Sequence, residues 1–590
     1  MRLGPRPLGS AMDRNLLLAF ALSFLVLSLW SMWTADRRHV PQGNMPAIEQ
    51  PAPAQSGEPG SAPGSQPYPE LPDAQPAPAA APELPNETAP AEAEVSAERI
   101  EIDMPFYRAH LSSRGAVLEG WELEKYTDHG GARIQMIPSE GPASTLAATP
   151  FRELGVGDLS QVDWQIEKSD ATGAAFHVAR GGVDLRKAWT FDPDTYAFRL
   201  AIEVANHSPA AISPRFLVDW PAQVRHEQDF VDQALAALHD GSVVLHPLAG
   251  IGAPGFFGSL IGRQPVREYP PMLGEIDWTG FQTTYFLGAI LPDNPSQARA
   301  RFIVLETSKA GAAQLFFDPV QLAPGQSISR EFRGYIGPKE AERLASLGGG
   351  AEMSIDRGYR WVAPLTRVFS WLLHALYSVI PNYGVAIILL TILVRLVTAP
   401  LTVRQMRSME RLRRVQPRMK EIQEKFKDDR QKQSEELMKL YRLEKVNPLG
   451  GCFPMLLQLP VFIGLFYALR SSLELRHAPF FGWINDLSAP DLLFTIPGVN
   501  LPVRVLPIVM GVTMFFQQKI TPMQTPDPTQ ARMMMIVMPI MMTVLFYQFP
   551  SGLVLYWMLS NVLAIGHQLW IGRNMGPPSP PGRAVPAAAA

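Results

Sequence analysis

The chain holds one cysteine, Cys452, among 590 residues. One thiol excludes an intrachain disulfide and a cysteine-rich metal site. In its apolar segment Cys452 reads as a small buried hydrophobe. Catalytic signatures are missing as well. There is no Walker A loop, no GxSxG elbow and no HExxH helix, and the eleven histidines are scattered. No motif suggests an enzyme. The net charge of −3 predicts no nucleic-acid partner. The most informative absence is local. The apolar runs of the C-terminal part contain no Asp or Glu, yet one of them, residues 383–400, contains a lone arginine, Arg395.

That run (YGVAIILLTILVRLVTAP) is long enough to cross a bilayer, at about 1.5 Å of rise per residue against a hydrocarbon core of about 30 Å. A charge at membrane depth costs about 2.5–3.5 kcal/mol on insertion scales. Such a residue faces a protein interior or a water-filled cavity. The competing reading is a helix-end arginine that snorkels to lipid headgroups, because Pro400 is only five residues away.

Six apolar spans are expected, at 15–33, 383–400, 453–473, 501–517, 533–549 and 552–570. The first follows Arg2, Arg6 and Arg14 and lacks a small-x-small cleavage site, so it reads as an uncleaved signal anchor. Basic residues orient the rest. Arg404, Arg407, Arg411, Arg413, Arg414, Arg418 and Lys420 crowd one connection, Lys519 and Arg532 another, and Arg573 follows the last span. They share one side if both termini are cytoplasmic, which puts residues 34–355 outside. Within 402–447, Met406, Met409, Leu412, Met419, Ile422 and Phe426 recur at helical spacing. After Asp428-Asp429, the residues Leu437, Leu440, Tyr441 and Val446 continue a stripe. The pattern predicts an antiparallel helical hairpin with a basic surface. Its basic residues read equally as a solvated face and as a dock for an acidic or RNA-containing partner.

The external part divides in two. Residues 34–99 are rich in Pro and Ala and cannot bury enough apolar surface to fold, so they form a linker. Residues 100–350 alternate with period two, as in Tyr196–Val204, with Asp192-Pro193-Asp194 marking a hairpin turn after Lys187–Phe191. Further strands are expected at 302–306, 314–317 and 328–335, and a short helix at 338–347. This texture is a β-sandwich. Trp121, Trp164, Trp189 and Trp278 belong to its core or line a groove. Residues 355–380 fit an interfacial amphipathic helix, and 574–590 a flexible tail.

Ordered motifs in the C-terminal part resemble the YidC/Oxa/Alb membrane-protein insertases, in particular the Gram-negative YidC form. They are Asn382-Tyr-Gly384, Thr391 through Arg395 to Pro400-Leu-Thr402, Asn447-Pro-Leu-Gly-Gly-Cys-Phe-Pro454, Gln458-Leu-Pro460, Phe549-Pro-Ser-Gly-Leu-Val-Leu-Tyr556 and Ser560-Asn561. Tyr107-Arg-Ala, Leu111 through Ala116, and Gly337-Pro-Lys339 resemble the bounds of that form's periplasmic domain. The resemblance implies a multi-pass inner-membrane protein with a large periplasmic β-sandwich and a cytoplasmic hairpin. It implies an insertase and chaperone of nascent integral membrane proteins, working alone or with the Sec translocon and its accessory subunits. It implies contact with lipids, no cofactor and no covalent catalysis. A five-helix core within 383–573 would enclose a hydrophilic groove open to cytoplasm and lipid. Arg395 corresponds to the groove arginine and Thr391 to a substrate-contact position. Tyr556-Trp557 stands where the family commonly has Tyr-Tyr. Gln458 and Asn561 complete the expected groove. The hairpin residues Arg411, Arg413, Arg414, Arg418 and Lys420 are the expected dock for the ribosome and the signal recognition particle pathway. A polytopic transporter or channel is the alternative class, but the Arg395 helix is not repeated and no intramembrane acid offers ion coupling.

Overall fold

The structure, a computed structural model, describes residues 97–226, 230–254, 264–427, 429–444, 453–498, 500–520 and 528–574. The 15–33 span, most of the 34–99 linker, residues 445–452 with Cys452 and the tail from 575 lie outside the described residues.

Period-two alternation in 99–338 becomes antiparallel sheet throughout. The largest sheet has nine strands. Their spatial order is Ser242–Pro247, Ala234–His239, Ile276–Gln282, Phe286–Pro292, Ser327–Pro338, Ala197–Asn206, Val183–Phe191, Gly173–Arg180 and Gln165–Asp170. The hairpin around Asp192-Pro-Asp has the register Phe191↔Phe198, which puts both rings on the core face. A four-stranded sheet (Arg99–Asp103, Tyr107–Ser112, Val117–Thr127, Arg133–Gln135) covers one half of the large sheet. A three-stranded sheet (Arg299–Glu306, Ala310–Phe316, Leu217–Gln223) covers the other. Tyr107 stacks on Trp121 at 3.9 Å between centroids, and Trp121 meets Phe191 and Phe198 at 6.1 and 6.0 Å. The layers thus share one apolar core. Trp121, Trp164, Trp189 and Trp278 are all buried in it, so they are core and not groove. Helix α1 (Ala341–Leu347) closes the domain through buried Leu344.

Seven further α-helices follow among the described residues: α2 (Ala363–Val379), α3 (Tyr383–Lys425), α4 (Arg430–Leu443), α5 (Phe453–Arg470), α6 (Val505–Ile520), α7 (Pro528–Phe546) and α8 (Ser551–Asn574). Asn382 caps α3, its side chain accepting from the Val385 N–H at 3.0 Å. Two sequence boundaries are corrected here. The helix beginning at 383 does not end at Pro400. The helix runs on through Pro400 and Pro417 for 43 residues, so span and first hairpin arm are one rod of about 65 Å. Each proline removes one N–H and crowds the carbonyl four residues back, yet the helix continues through both. The span expected from 501 starts later. Residues Leu501–Val503 pair with Phe494–Ile496 in a two-stranded hairpin. Helix α6 then begins where buried Asp491 accepts from the backbone N–H groups of Val505 and Leu506 at 2.7 and 3.0 Å.

The distal part of α3 and α4 pair antiparallel, with Arg418 on Glu444 and the Gln433 amide donating to the Gln423 carbonyl. Their seam is Val415, Met419 and Leu440, flanked by Ile422, Leu437 and Tyr441. Val415 was not in the expected stripe, although it lies four residues before Met419 and so on the same helix face. In the apolar bundle α8 is central, packing along α6 and α3 and touching α5. Two helical stretches, Tyr383–Arg404 and Ser551–Ile571, are long and apolar enough to cross a membrane; three apolar helices among the described residues are shorter.

Candidate functional site

Helix α3 carries Arg395 toward α8. Its neighbours Leu390 and Val394 are buried in the bundle, whereas Leu396 and Val397 on the next face are 65% and 73% exposed. Exposed apolar faces recur on α6 (Ile508, Val512), α7 (Ile540, Val544) and α8 (Leu569, Trp570). Only a nonaqueous surrounding makes so much exposed apolar surface favourable. Arg395 stands at the border of buried and exposed faces, half-buried.

Its guanidinium meets one residue of α8. Nε donates to Ser560 Oγ at 3.0 Å, and Nη2 donates to the same oxygen and to the Ser560 carbonyl at 2.8 Å. Tyr556, one turn earlier on α8, is buried close to Arg395, Ser560 and the Gln458 side chain of α5. Four residues from three helices therefore form one polar cluster. The charge is hydrogen-bonded but not neutralised, since the spans hold no carboxylate. A guanidinium has five N–H donors, and a single serine cannot saturate them.

The other expected groove residues go elsewhere. Thr391 is fully buried and its hydroxyl donates to the Ile387 carbonyl at 2.6 Å, within its own helix. Trp557 joins an aromatic cluster, edge-on to Phe462 at 4.6 Å and to Phe546 at 5.0 Å. Asn561 is buried at the α6 seam, its amide 3.5 Å from Thr513 Oγ1. The cluster thus contains Arg395, Gln458 and Tyr556. Its fourth member, Ser560, stood in the sequence only as part of the Ser560-Asn561 motif, with no groove role assigned. Its spacing of four from Tyr556, which puts both on one helix face, was the available signal.

On the hairpin, Arg411, Arg418 and Lys420 are exposed. Arg413 and Arg414 lie on the same helix, with side chains outside the described residues.

At the other end of the bundle the β domain is tied down by polar contacts. Arg470, ending α5, reaches Asp232 at 2.6 Å, and Arg476 donates to the Thr127 carbonyl. His374 of α2 donates to Glu474 at 2.8 Å. That hydrogen bond outweighs burial and lifts the imidazole to about 9. Burial alone would raise the Glu474 carboxyl, but the bonds from His374 and Ser472 hold it below its ordinary value. Deep in the domain, burial pushes the Lys339 ammonium down to about 7, although its Nζ donates to Gln282 and to the Ser354 carbonyl at 3.1 and 2.9 Å.

Comparison with known proteins agrees with this division of the chain. The family model described as "60Kd inner membrane protein" matches residues 375–577, and that described as "YidC periplasmic domain" matches residues 99–372. A membrane protein insertase YidC of Syntrophus aciditrophicus is 32% identical over 585 residues, covering 95% of this chain and 100% of that protein. Another, of Pelobacter propionicus, is 34% identical over 580 residues, covering 95% and 99%. A solved structure of an active YidC insertase aligns over 80% of this chain and 92% of its own at 18% identity, with a TM-score of 0.33. On these matches the chain belongs to the YidC family of membrane protein insertases.

Proposed function

We propose that the protein inserts nascent integral membrane proteins into the inner membrane, using the Arg395 cluster as the transient contact for polar segments in transit. The observation that carries this reading is an arginine in an acid-free bundle, bonded only to the neutral Ser560 among its recorded partners. A fixed carboxylate would quench the charge, whereas a serine leaves its field available. A polar, hydrated patch lowers the cost of drawing a client's hydrophilic tail partway into the bilayer. The client's apolar segment then leaves along the exposed apolar faces of the helices into lipid. Nothing in this sequence of events makes or breaks a covalent bond.

The chain crosses the membrane six times in this proposal, with both termini cytoplasmic and the β domain periplasmic. The basic asymmetry supports it, as does the 43-residue α3, which is about twice the length a bilayer needs and so projects its distal part beyond the membrane. Helix α2 lies at the outer interface, with Trp371 67% exposed and Phe369 and Leu373 packed inward. The basic hairpin receives clients from the ribosome or the signal recognition particle pathway. Cooperation with the Sec translocon and its accessory subunits belongs to the same reading. In the same reading Thr391, Trp557 and Asn561, next to the cluster in sequence, hold the helices around it.

Depletion of the protein tests the function. In inverted membrane vesicles, small membrane proteins labelled during synthesis should lose protease protection of their translocated tails within one depletion period. Unchanged insertion of every client tested would refute it. Protease added to spheroplasts tests the topology: it should cut within 41–94 and spare 402–447, and cleavage of the hairpin in sealed cells would overturn the orientation.

A further inference from the structure

Three potential metal ligands converge where the β domain meets the loop between α5 and α6. His129 comes from the turn between the strands Val117–Thr127 and Arg133–Gln135. His477 and Asp486 come from the loop. One donor atom from each lies within 4.8 Å of the others. His129 Nε2 is 3.1 Å from Asp486 Oδ2, and His477 Nε2 is 3.3 Å from His129 Nδ1. The two imidazoles stand edge to face, 4.4 Å apart. The carboxylate is oriented in advance. Its Oδ1 accepts from the backbone N–H and the hydroxyl of Ser488, both at 2.7 Å. That leaves Oδ2, buried from solvent, turned to the histidines. His477 is held at φ 56°, a conformation that side chains rarely adopt.

From this convergence we infer a divalent-cation site of the zinc class at His129, His477 and Asp486. Two imidazoles and one carboxylate suit a borderline cation, whereas calcium and magnesium prefer shells of oxygen. Ligand bonds of about 2.0–2.2 Å bring the three donors onto one ion after small side-chain rotations, with water in the fourth position. His129 ligates through one ring nitrogen and keeps the other for a hydrogen bond. The Ser488 pair supplies the outer contacts that keep a ligating carboxylate in place. His129 remains a third exposed at its side chain, which gives the ion a way in.

The site would staple the β domain to the loop. The loop is tied onward, because the Asp486 carbonyl accepts from Ser551 Oγ at 2.6 Å, at the start of α8. That helix carries Tyr556 and Ser560. A cation here would therefore fix the domain against the helix that holds the Arg395 cluster.

The test uses the full chain without an affinity tag, purified in detergent, stripped with a chelator and titrated with Zn2+ against a fluorescent zinc indicator. Metal analysis should give one equivalent of zinc retained in the presence of millimolar Ca2+ and Mg2+. His477→Ala and Asp486→Asn should each weaken zinc at least tenfold. His177→Ala and Cys452→Ser, which change other candidate ligands, should keep the full equivalent. X-ray absorption of the zinc-loaded wild type should show two imidazoles in an all N/O shell, a readout independent of how any variant folds. Absence of a retained equivalent, sulfur in the shell, or zinc affinity unchanged in His477→Ala would overturn the site and leave the three side chains a hydrogen-bonded relay only.

Discussion

Replacing Arg395 and Ser560 separately distinguishes a charge that works on clients from a charge that packs helices. At a separation of about 6 Å, a client carboxylate and the guanidinium attract by about 0.7 kcal/mol in bulk water and about 2.8 kcal/mol at an effective dielectric of ~20. Loss of that attraction in Arg395→Ala should lower capture of an acidic tail by roughly threefold to a hundredfold. A client with a neutral tail should change less than about twofold. Arg395→Lys keeps the charge and loses the forked geometry, so it should retain most function. Ser560→Ala removes the hydroxyl that accepts two of the three recorded bonds and leaves the carbonyl acceptor. Hydrogen bonds to a charged group contribute about 1.5–3 kcal/mol each, so this variant loosens α3 against α8 while sparing the charge. Insertion should be followed by protease protection for a matched pair of clients differing only in acidic residues of the translocated tail. If Ser560→Ala reproduces Arg395→Ala for both clients, the arginine is a packing residue and the reasoning fails. If Arg395→Ala affects neither client, the side chain snorkels and the cluster has no part in insertion.

Three further outcomes are expected. Trp121→Ala removes the ring stacked on Tyr107 at the centre of the sandwich, so it should destabilise the β domain by about 3–5 kcal/mol, visible as a lower first melting transition; an unchanged melt would refute the shared core. The His374–Glu474 bond depends on pH: the imidazole is raised from 6.5 to about 9, so its contribution is complete below about pH 6.5 and is lost as pH rises toward 9. Both side chains are more than a third exposed, so the effect is about 0.2–1 kcal/mol, and the melting difference between wild type and Glu474→Gln should shrink from pH 6 to pH 9.5; a constant difference would exclude the pair as its source. Shortening 411–443 should impair growth, whereas removing 577–590, which contains one basic residue, Arg583, should be nearly silent; the reverse ranking would move the docking role to the tail.

Periodicity in single stretches of chain was sufficient for much of the architecture. Alternation in Tyr196–Val204 and the Asp192-Pro-Asp turn specify a hairpin whatever surrounds them, because the pleat has period two and one face must be buried. The apolar length of 383–400 marks a helix long enough to cross a membrane, and the lone Arg395 stands out in it because a charge in hydrocarbon is costly. The β-sandwich and the family were legible for the same reason: local patterns repeated in order. What one stretch of chain cannot specify is which residues meet across elements. Pro400 looked like a helix end, yet packing and the continuing ladder carried α3 past it to Lys425. Residues 501–503 looked like the start of a span, yet pairing with 494–496 made them strand, and a buried aspartate 14 residues upstream of Val505 set the true helix start. Arg395, Thr391 and Asn561 are all polar residues in apolar helices. Only the rotation of α3 and α8 against each other gave Arg395 the side chain of Ser560, left Thr391 to its own backbone and turned Asn561 toward α6. A partner's identity is a property of two surfaces, so it appears when the helices pack and not before.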